Sequence, residues 1–382
     1  MNILFIAPKY PSVYNNFRAP FFREQAIAIG KRHNVTYVSA ELHLESFSAI
    51  NSLSYTKKDI DGIQLHELAI KKGLPLINSY LHVNQSTKYI ERYIDLKTID
   101  VIHCQTSFIA GSIAYNLYKK YNIPYVITEH SFYTKDSNAI VTKKFNPQFN
   151  SPIHKYITKR NLKNAAAVIT VGQFLKEDIQ SFTNREIDVV PNVVNTERFS
   201  TKRSASDNIR IGVVGNLTPP KGIDLLIEAV ALAKNRDITL DIAGDGLEMD
   251  NLKKLAADRG IRNRCIFRGH IPPDNITEFY KNIDVFVLPS KHETFGVVLV
   301  EAIASGIPVI TTLCGEPENI VNSAIGIIAN RADINDLAEK IDIITEKLNE
   351  YNPDDLRQYA IDNYGINSFN KKINAIYNRV TK

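Results

Sequence analysis

Cysteine is scarce in this sequence: Cys104, Cys265 and Cys314 are the only three. They are odd in number, far apart and form no Cys-x-x-Cys. That argues against a disulfide framework or a zinc site and for reduced, buried thiols of the kind expected in a cytoplasmic protein. Long apolar runs are missing too, so no transmembrane helix is expected and any membrane contact must be peripheral. The first ten residues lack a basic n-region and read as a first strand, not as a signal peptide. Charge of one sign is also in short supply. The net charge of +5 falls short of the concentrated basic stripe that nucleic acid demands, although it suits an anionic ligand or an anionic membrane surface. A complete Gly-x-Gly-x-x-Gly is absent, because Met249 stands at the third position after Gly244 and Gly246. This sets a nicotinamide oxidoreductase aside. The one Asp-x-Asp, Asp59 to Asp61, sits in a polar stretch before a strand-like run and reads as a turn, so no metal site is expected.

What is present is the composition of an ordinary soluble protein, long enough for two domains. The chain has 382 residues, 44% hydrophobic and 23% charged, sufficient for two full cores. Short apolar runs alternate with helical stretches. In the first half the strand-like runs are residues 2–7, 34–39, 63–68, 100–104, 124–128, 167–171 and 187–190. Several are apolar on both faces, as parallel strands covered by helices must be. Residues 21–30 have helical spacing, with Gly30 as a stop. The βαβ rhythm pauses over residues 192–208, whose polar second part reads as a linker. It restarts with strand-like runs at 209–214, 238–243, 265–268, 284–288, 308–311 and 326–329. Helical stretches lie between them, notably 222–235 and 297–305, and amphipathic helix follows at 336–350 and 369–381. The expected fold class is α/β: two tandem Rossmann-like doubly wound parallel-sheet domains, residues 1–191 and 209–364, facing a cleft. In such sheets ligands bind beyond the carboxyl ends of the strands.

The most informative segment is residues 288–309, in which a buried strand is followed by a loop, a short helix and another strand. From Val297 to Ala304 the helix carries one polar side chain, Glu301. A carboxylate among Val, Leu, Ile and Ala is costly unless something donates hydrogen bonds to it. A ribose diol would do so, since an ionised carboxylate only accepts. Glu293 lies eight residues earlier, at most about 12 Å away at helical rise, a reasonable span for the ribose and hexose of one nucleotide sugar. Gly296 lets backbone amides approach a ligand, and the helix start beside it favours phosphate. The alternative is a partly exposed helix glutamate and a loop cap. The strand, loop and helix context favours the ligand.

Glu-x7-Glu followed by Ala302-Ile-Ala304-Ser-Gly306-Ile-Pro308-Val309 closely resembles the signature of retaining GT-B glycosyltransferases, specifically glycosyltransferase family 4. The resemblance extends over nearly the whole chain and is most specific in its second half. It implies the GT-B architecture, with a helix at about 365–382 packing back on the first domain. It implies transfer of a hexose from a UDP- or GDP-linked sugar to a glycan or lipid-linked acceptor, without cofactor or metal. On this resemblance Glu301 holds the ribose, while Glu293, Thr294, Phe295, Gly296 and Val297 hold the donor sugar and phosphates. The expected location is cytoplasmic, with a peripheral contact at the inner face of the membrane. A sugar-nucleotide epimerase and a non-catalytic sugar-nucleotide-binding protein remain as alternatives.

Gly215-Asn-Leu-Thr-Pro-Pro-Lys-Gly222 follows a strand and opens a helix, so Lys221 can set a cation on a diphosphate beside a helix N-terminus. A surface lysine in a turn is the alternative. The segment resembles the family's Gly-Arg-Leu…Lys-Gly motif, with Asn216 in place of the usual arginine. This implies either weaker donor affinity or a compensating cation such as Arg268 or Lys291. Gly244, in Ala243-Gly-Asp-Gly246, resembles the family's turn toward the nucleotide, and the stretch that begins at Arg268 corresponds to its base contact. In the first half, His130 ends the strand-like run Tyr125-Val-Ile-Thr-Glu-His130. A lone histidine there more often caps a strand, but the resemblance implies contact with the donor sugar, and it places the chemistry at His130 and Glu293. Residues 9–25 resemble the family's acceptor loop, with Ala19 where glycine is usual and Asn16 and Arg18 as acceptor-side candidates. Between residues 132 and 163 seven basic residues interleave with five aromatics, a pattern that can hold anionic lipid headgroups or a lipid-diphosphate acceptor, although a solvated helix and loop is the slightly favoured reading.

Overall fold

The computed structural model describes residues 1–8, 20–43, 53–71, 75–131, 151–202 and 208–382. They form two compact units, residues 1–193 with 369–382, and residues 194–368. The first unit contains β1 (Asn2–Ala7), α1 (Pro20–Gly30), β2 (Asn34–His43), β3 (Leu53–Ile60), β4 (Ile63–Lys71), α2 (Pro75–Tyr93), β5 (Val101–Gln105), α3 (Ile109–Tyr121), β6 (Tyr125–Glu129), α4 (Pro152–Asn164), β7 (Ala167–Thr170), α5 (Gln173–Ile179) and β8 (Ile187–Val189). The sheet order is β3-β4-β2-β1-β5-β6-β7-β8. All neighbouring strands are parallel except β3, which runs antiparallel to β4. The inner strands β1, β5, β6 and β7 are almost entirely buried, which is why they read as unbroken apolar runs.

β3 is the strand that the sequence reading passes over. Its segment Thr56-Lys-Lys-Asp59 is polar because it lies at the sheet edge, where lysines discourage pairing with another chain. Asp61 and Gly62 form the two-residue turn to β4, with φ of +56° and +76°, the geometry that matches hairpin twist. The expected turn at Asp61 is therefore present, although Asp59 lies within β3.

The second unit contains β9 (Ile209–Val214), α6 (Ile223–Leu232), β10 (Ile238–Ala243), α7 (Met249–Asp258), β11 (Cys265–Gly269), α8 (Ile276–Lys281), β12 (Val285–Leu288), α9 (Val297–Ala304), β13 (Val309–Thr312), α10 (Pro317–Ile320), β14 (Gly326–Ala329), α11 (Ile334–Glu346) and α12 (Pro353–Tyr364). Its sheet is parallel throughout, in the order β11-β10-β9-β12-β13-β14. This is the doubly wound order in which the chain reverses direction beside the first strand. The core joins Ile211, Val213, Leu240, Ile242 and Val285 of the sheet to Leu226, Ile227 and Val230 of α6 and Ile341 and Ile344 of α11. Asp333 caps α11 by accepting from the Asp336 amide, and Asn352 with Pro353 opens α12, both standard helix starts.

Two stretches differ in character from their sequence reading. Residues 194–202, expected within a linker, pack into the second unit: Val194 and Phe199 are buried, and the Phe199 ring meets Tyr280 edge-on at 5.7 Å. The helix expected over 336–350 ends at Glu346, and a 3-10 turn follows it. The last helix, α13 (Ile366–Val380), buries Phe369, Ile373, Ile376 and Tyr377. Its residues from Phe369 onward belong to the first unit, and Asn370 Nδ2 donates to the Ala28 carbonyl of α1 at 2.7 Å.

Candidate functional site

The switch point of the second sheet lies between β9 and β12, and the loops leaving these two strands meet there. The loop after β9 leads through Lys221 into α6, and the loop after β12 leads through Gly296 into α9. The Lys291 amide donates to the Pro220 carbonyl at 2.8 Å. Gly222 makes this approach possible. Its φ is +65°, and a Cβ there would stand 2.0 Å from the Pro289 carbonyl oxygen, so a side chain cannot be accommodated without moving backbone. Gly244, after β10, plays the same part against the other side of the first loop. Its φ is +142°, and a Cβ would stand 1.8 Å from the Gly215 carbonyl oxygen. The Gly215 amide donates to Ala243 at 3.0 Å and the Gly244 amide to Gly269 at 2.8 Å. Three loops are thus stacked by backbone contacts at the carboxyl ends of β9, β10 and β12.

Two opposite charges meet at this junction. Lys221 Nζ lies 2.5 Å from Glu293 Oε1, and Ser290 Oγ donates to the same oxygen at 2.9 Å. The two side chains are 31% and 12% exposed. A pair this open to water adds little stability, which leaves it able to exchange partners. The backbone of Glu293 is better fixed. Its amide donates to Cys314 at 2.8 Å, and it pairs with Gly315 as an isolated bridge. Glu318 holds that turn, accepting the Cys314 and Gly315 amides at 3.0 and 2.8 Å. The sequence reading misses Glu318. Its one local signal was the proline that opens the short helix α10.

Glu301 on α9 is half-buried, and Tyr280 of α8 donates its hydroxyl to Oε2 at 2.9 Å. Tyr280 is buried, and burial together with the neighbouring carboxylate holds its hydroxyl well above the usual phenol range. It therefore remains a donor. A ribose diol is the partner the sequence leads one to expect for Glu301, and the Tyr280 hydroxyl is one partner the structure shows. A carboxylate offers about four lone-pair positions and only accepts, so its partners must be donors like this hydroxyl. Nothing in the local pattern marks Tyr280, which reads as an ordinary core aromatic.

The other predicted donor residues fall into place unevenly. Asn216 is exposed, and its side chain makes no hydrogen bond among the described residues. Arg268 is committed elsewhere: it donates twice to buried Asp241, at 2.7 and 2.6 Å. A cation paired with a buried carboxylate is needed where it stands, so Arg268 is poorly placed to replace the arginine absent at position 216. Lys291, 3.5 Å from the half-exposed Asp224, is less tightly held. Phe295 is buried, its ring edge-on to Tyr364 at 5.9 Å, which leaves its backbone as the part able to meet a ligand. Thr294 and Val297 are half-buried, and Gly296, at φ +88°, immediately precedes α9.

In the first unit the corresponding switch point lies between β1 and β5. Glu129, at the end of β6, is fully buried and accepts the Ser107 amide at 2.5 Å. His130 is buried between Phe21, stacked at 4.8 Å, and Phe22, edge-on at 5.0 Å. Burial lowers its pKa to about 3, so it is a neutral imidazole. Asn16 and Arg18 lie outside the described residues, as do residues 132–150 of the basic aromatic stretch. On the part that is described, α4, Ile153, Lys155 and Tyr156 are exposed. Lys159 lies 5.8 Å from the Phe182 ring and Arg160 4.3 Å from that of Tyr115. All three cysteines are buried and free. Among the described residues no helix is long and apolar enough to cross a membrane.

Comparison with known proteins bears on both halves. Residues 194–374 match the family described as Glycosyl transferases group 1, and residues 17–198 match Glycosyltransferase Family 4. The uncharacterized glycosyltransferase MJ1607 of Methanocaldococcus jannaschii is 32% identical over 56% of this chain, and the match spans 58% of that relative's length. Sucrose-phosphate synthase from Thermosynechococcus elongatus superposes with a TM-score of 0.80 at 17% identity, covering 99% of this chain and 98% of its own. Anabaena HepE, solved in complex with UDP, superposes with a TM-score of 0.73 at 20% identity, covering 98% and 99%. The shared fold is the GT-B architecture.

Proposed function

Because this chain belongs to the glycosyltransferases, with a group 1 second half and a family 4 first half, we propose that it transfers a hexose from a nucleoside-diphosphate sugar to a hydroxyl acceptor with retention at the anomeric carbon. The observation that carries this reading is the meeting of Lys221 and Glu293 at the second sheet's switch point, with Glu301 on the helix that follows. A diphosphate suits Lys221 and the amides that open α6 and α9, where helix ends carry partial positive charge. A ribose diol, which donates twice, suits the Glu301 carboxylate. Hexose hydroxyls suit Glu293.

In this mechanism the bond from the anomeric carbon to the diphosphate oxygen lengthens first, and negative charge collects on the leaving group. Lys221, drawn from Glu293 by the bound diphosphate, stabilises that charge. The acceptor hydroxyl enters on the face the leaving group vacates, which preserves the configuration, and passes its proton to the departing diphosphate oxygen as the new bond forms. The cation and helix-end amides carry the electrostatics, so the reading requires no metal ion. For the acceptor we infer a cell-surface glycan or glycolipid, approached from the cytoplasmic side. Its support is the exposed set Ile153, Lys155 and Tyr156 on α4, which offers apolar, aromatic and cationic groups to a lipid surface.

UDP is the nucleotide in the HepE complex, so UDP-sugars head the series to test here, beside GDP- and ADP-sugars. One series is expected to raise the melting temperature by about 5 °C at saturating ligand and to undergo slow hydrolysis without acceptor. No response to any of the three removes the donor assignment. An isomerised nucleotide sugar among the products would point to an epimerase.

A further inference from the structure

A chain of buried polar side chains runs through the first unit from its last helix to His130. Tyr377 on α13 is fully buried, and its hydroxyl oxygen lies 2.6 Å from His103 Nδ1 on β5. His103 Nε2 lies 2.7 Å from Thr128 Oγ1 and 3.3 Å from Gln105 Nε2. Gln105 is two residues beyond His103 and therefore on the same face of β5. Its Oε1 lies 2.6 Å from His130 Nε2. His103 and Gln105 are both fully buried. The chain links residue 377 to residue 130 through two side chains of the central sheet.

Each link constrains the next. The Gln105 carbonyl only accepts, so His130 carries its proton on Nε2. The Gln105 amide group only donates, so His103 Nε2 accepts from it and from the Thr128 hydroxyl. His103 must then hold its own proton on Nδ1 and donate it to the Tyr377 oxygen. Burial lowers the pKa of both histidines to about 3, so both are neutral and the remaining variable is which nitrogen is protonated. His130 Nδ1 becomes a lone-pair acceptor. It is shut off from solvent and has no partner among the described residues. An unpaired buried acceptor is costly, and a ligand hydroxyl would satisfy it.

We propose that Tyr377 is a positioning residue for His130: acting through His103 and Gln105, it fixes the Nε2–H tautomer, so that Nδ1 accepts a hydroxyl of a bound glycosyl substrate. This rests on the reading of His130 as a substrate-contacting residue. Without the Tyr377 hydroxyl, the His103 Nδ1 proton has no acceptor and moves to Nε2. There the Thr128 oxygen can accept it at 2.7 Å, and the Gln105 amide, now facing a donor at 3.3 Å, turns over to present its carbonyl. Gln105 then donates to His130 Nε2, and His130 takes its proton on Nδ1. A group that accepted a substrate hydroxyl becomes a donor.

The test uses full-length protein labelled with 15N-histidine and proton–nitrogen spectra that distinguish protonated from bare ring nitrogens. His130→Asn identifies the His130 signals. The wild type is expected to show His130 as Nε2–H. Tyr377→Phe, which keeps the ring in its socket, is expected to move His130 toward Nδ1–H. It should also lower kcat roughly three- to tenfold, the scale of one hydrogen bond, with the donor KM little changed. Gln105→Met breaks the chain at its centre, tests the same coupling if Tyr377→Phe folds poorly, and should abolish the tautomer preference. An unchanged His130 tautomer in whichever of these variants folds overturns the proposal. A shifted tautomer in Tyr377→Phe or Gln105→Met, with wild-type turnover there and in His130→Asn, would leave the coupling intact and overturn the substrate role of His130.

Discussion

Replacing Lys221 with alanine is expected to lower kcat/KM for glycosyl transfer by about 10²-fold or more, the scale of losing one preorganised charge donor at a developing anion. The fold should survive the change. The Lys221–Glu293 pair is partly exposed, and exposed pairs contribute at most about 1 kcal/mol. The stacking of the three loops depends on Gly222 and Gly244 and on backbone bonds such as Lys291 to Pro220, none of which involves the lysine side chain. Asn216, standing where the family usually has arginine, makes the effect larger, because no second cation lies in the first loop between Gly215 and Gly222. Steady-state kinetics paired with thermal melting checks this. Loss of activity that simply followed loss of folded protein would assign Lys221 a structural role. A drop of two orders of magnitude at an unchanged melting temperature would assign it to the diphosphate.

Glu293→Gln is expected to separate binding from turnover. In the free protein Glu293 occupies Lys221 at 2.5 Å, so a diphosphate must displace it. Removing the negative charge releases the lysine and also removes a carboxylate that repels the incoming anion. Both effects act in the same direction and should tighten nucleoside diphosphate binding by about 1 kcal/mol, or roughly fivefold. Transfer should nevertheless fall by about 10²-fold if Glu293 holds the hexose hydroxyls as proposed, because the charged acceptor that orients the reacting sugar is gone. Calorimetric titration with the nucleoside diphosphate and kinetics with the full donor give the two numbers. Weaker nucleotide binding in Glu293→Gln would show that the ion pair supports the site instead of competing for it.

Much of this architecture is legible in the sequence because the doubly wound sheet writes itself as apolar runs. The strand readings 209–214, 238–243 and 326–329 coincide with β9, β10 and β14, each bounded by a change from β-branched residues to polar or glycine positions. β3 was not legible because an edge strand has one neighbour and tolerates lysine and aspartate. Residues 194–202 read as linker because seven of the nine are polar or charged, yet buried Phe199 fixes them. In the site, Glu301 is marked in the sequence as the lone carboxylate of an apolar helix and the other motif residues by their resemblance to the family's signature, whereas their supports carry neither mark. Tyr280, Glu318 and Tyr377 act through hydrogen bonds to residues that lie 21, 4 and 274 positions away. None belongs to a periodic pattern that would distinguish it from an ordinary core aromatic or helix-start acid. Conversely, Arg268 looked like a free cation in the sequence, and the three-dimensional pairing with Asp241 is what occupies it.

The central claim is that Glu301 holds the ribose of a nucleotide bound at the switch point of the second sheet. Its most direct test is a calorimetric cycle with the tightest-binding nucleoside diphosphate and its 2′,3′-dideoxy counterpart, each titrated into wild type and Glu301→Ala. Hydrogen bonds from a diol to a carboxylate amount to about 1.5–3 kcal/mol, so wild type should prefer the ribose form by roughly 10- to 100-fold. Glu301→Ala should bind the two forms equally. A Glu301→Ala protein that keeps the full preference for ribose would contradict the account.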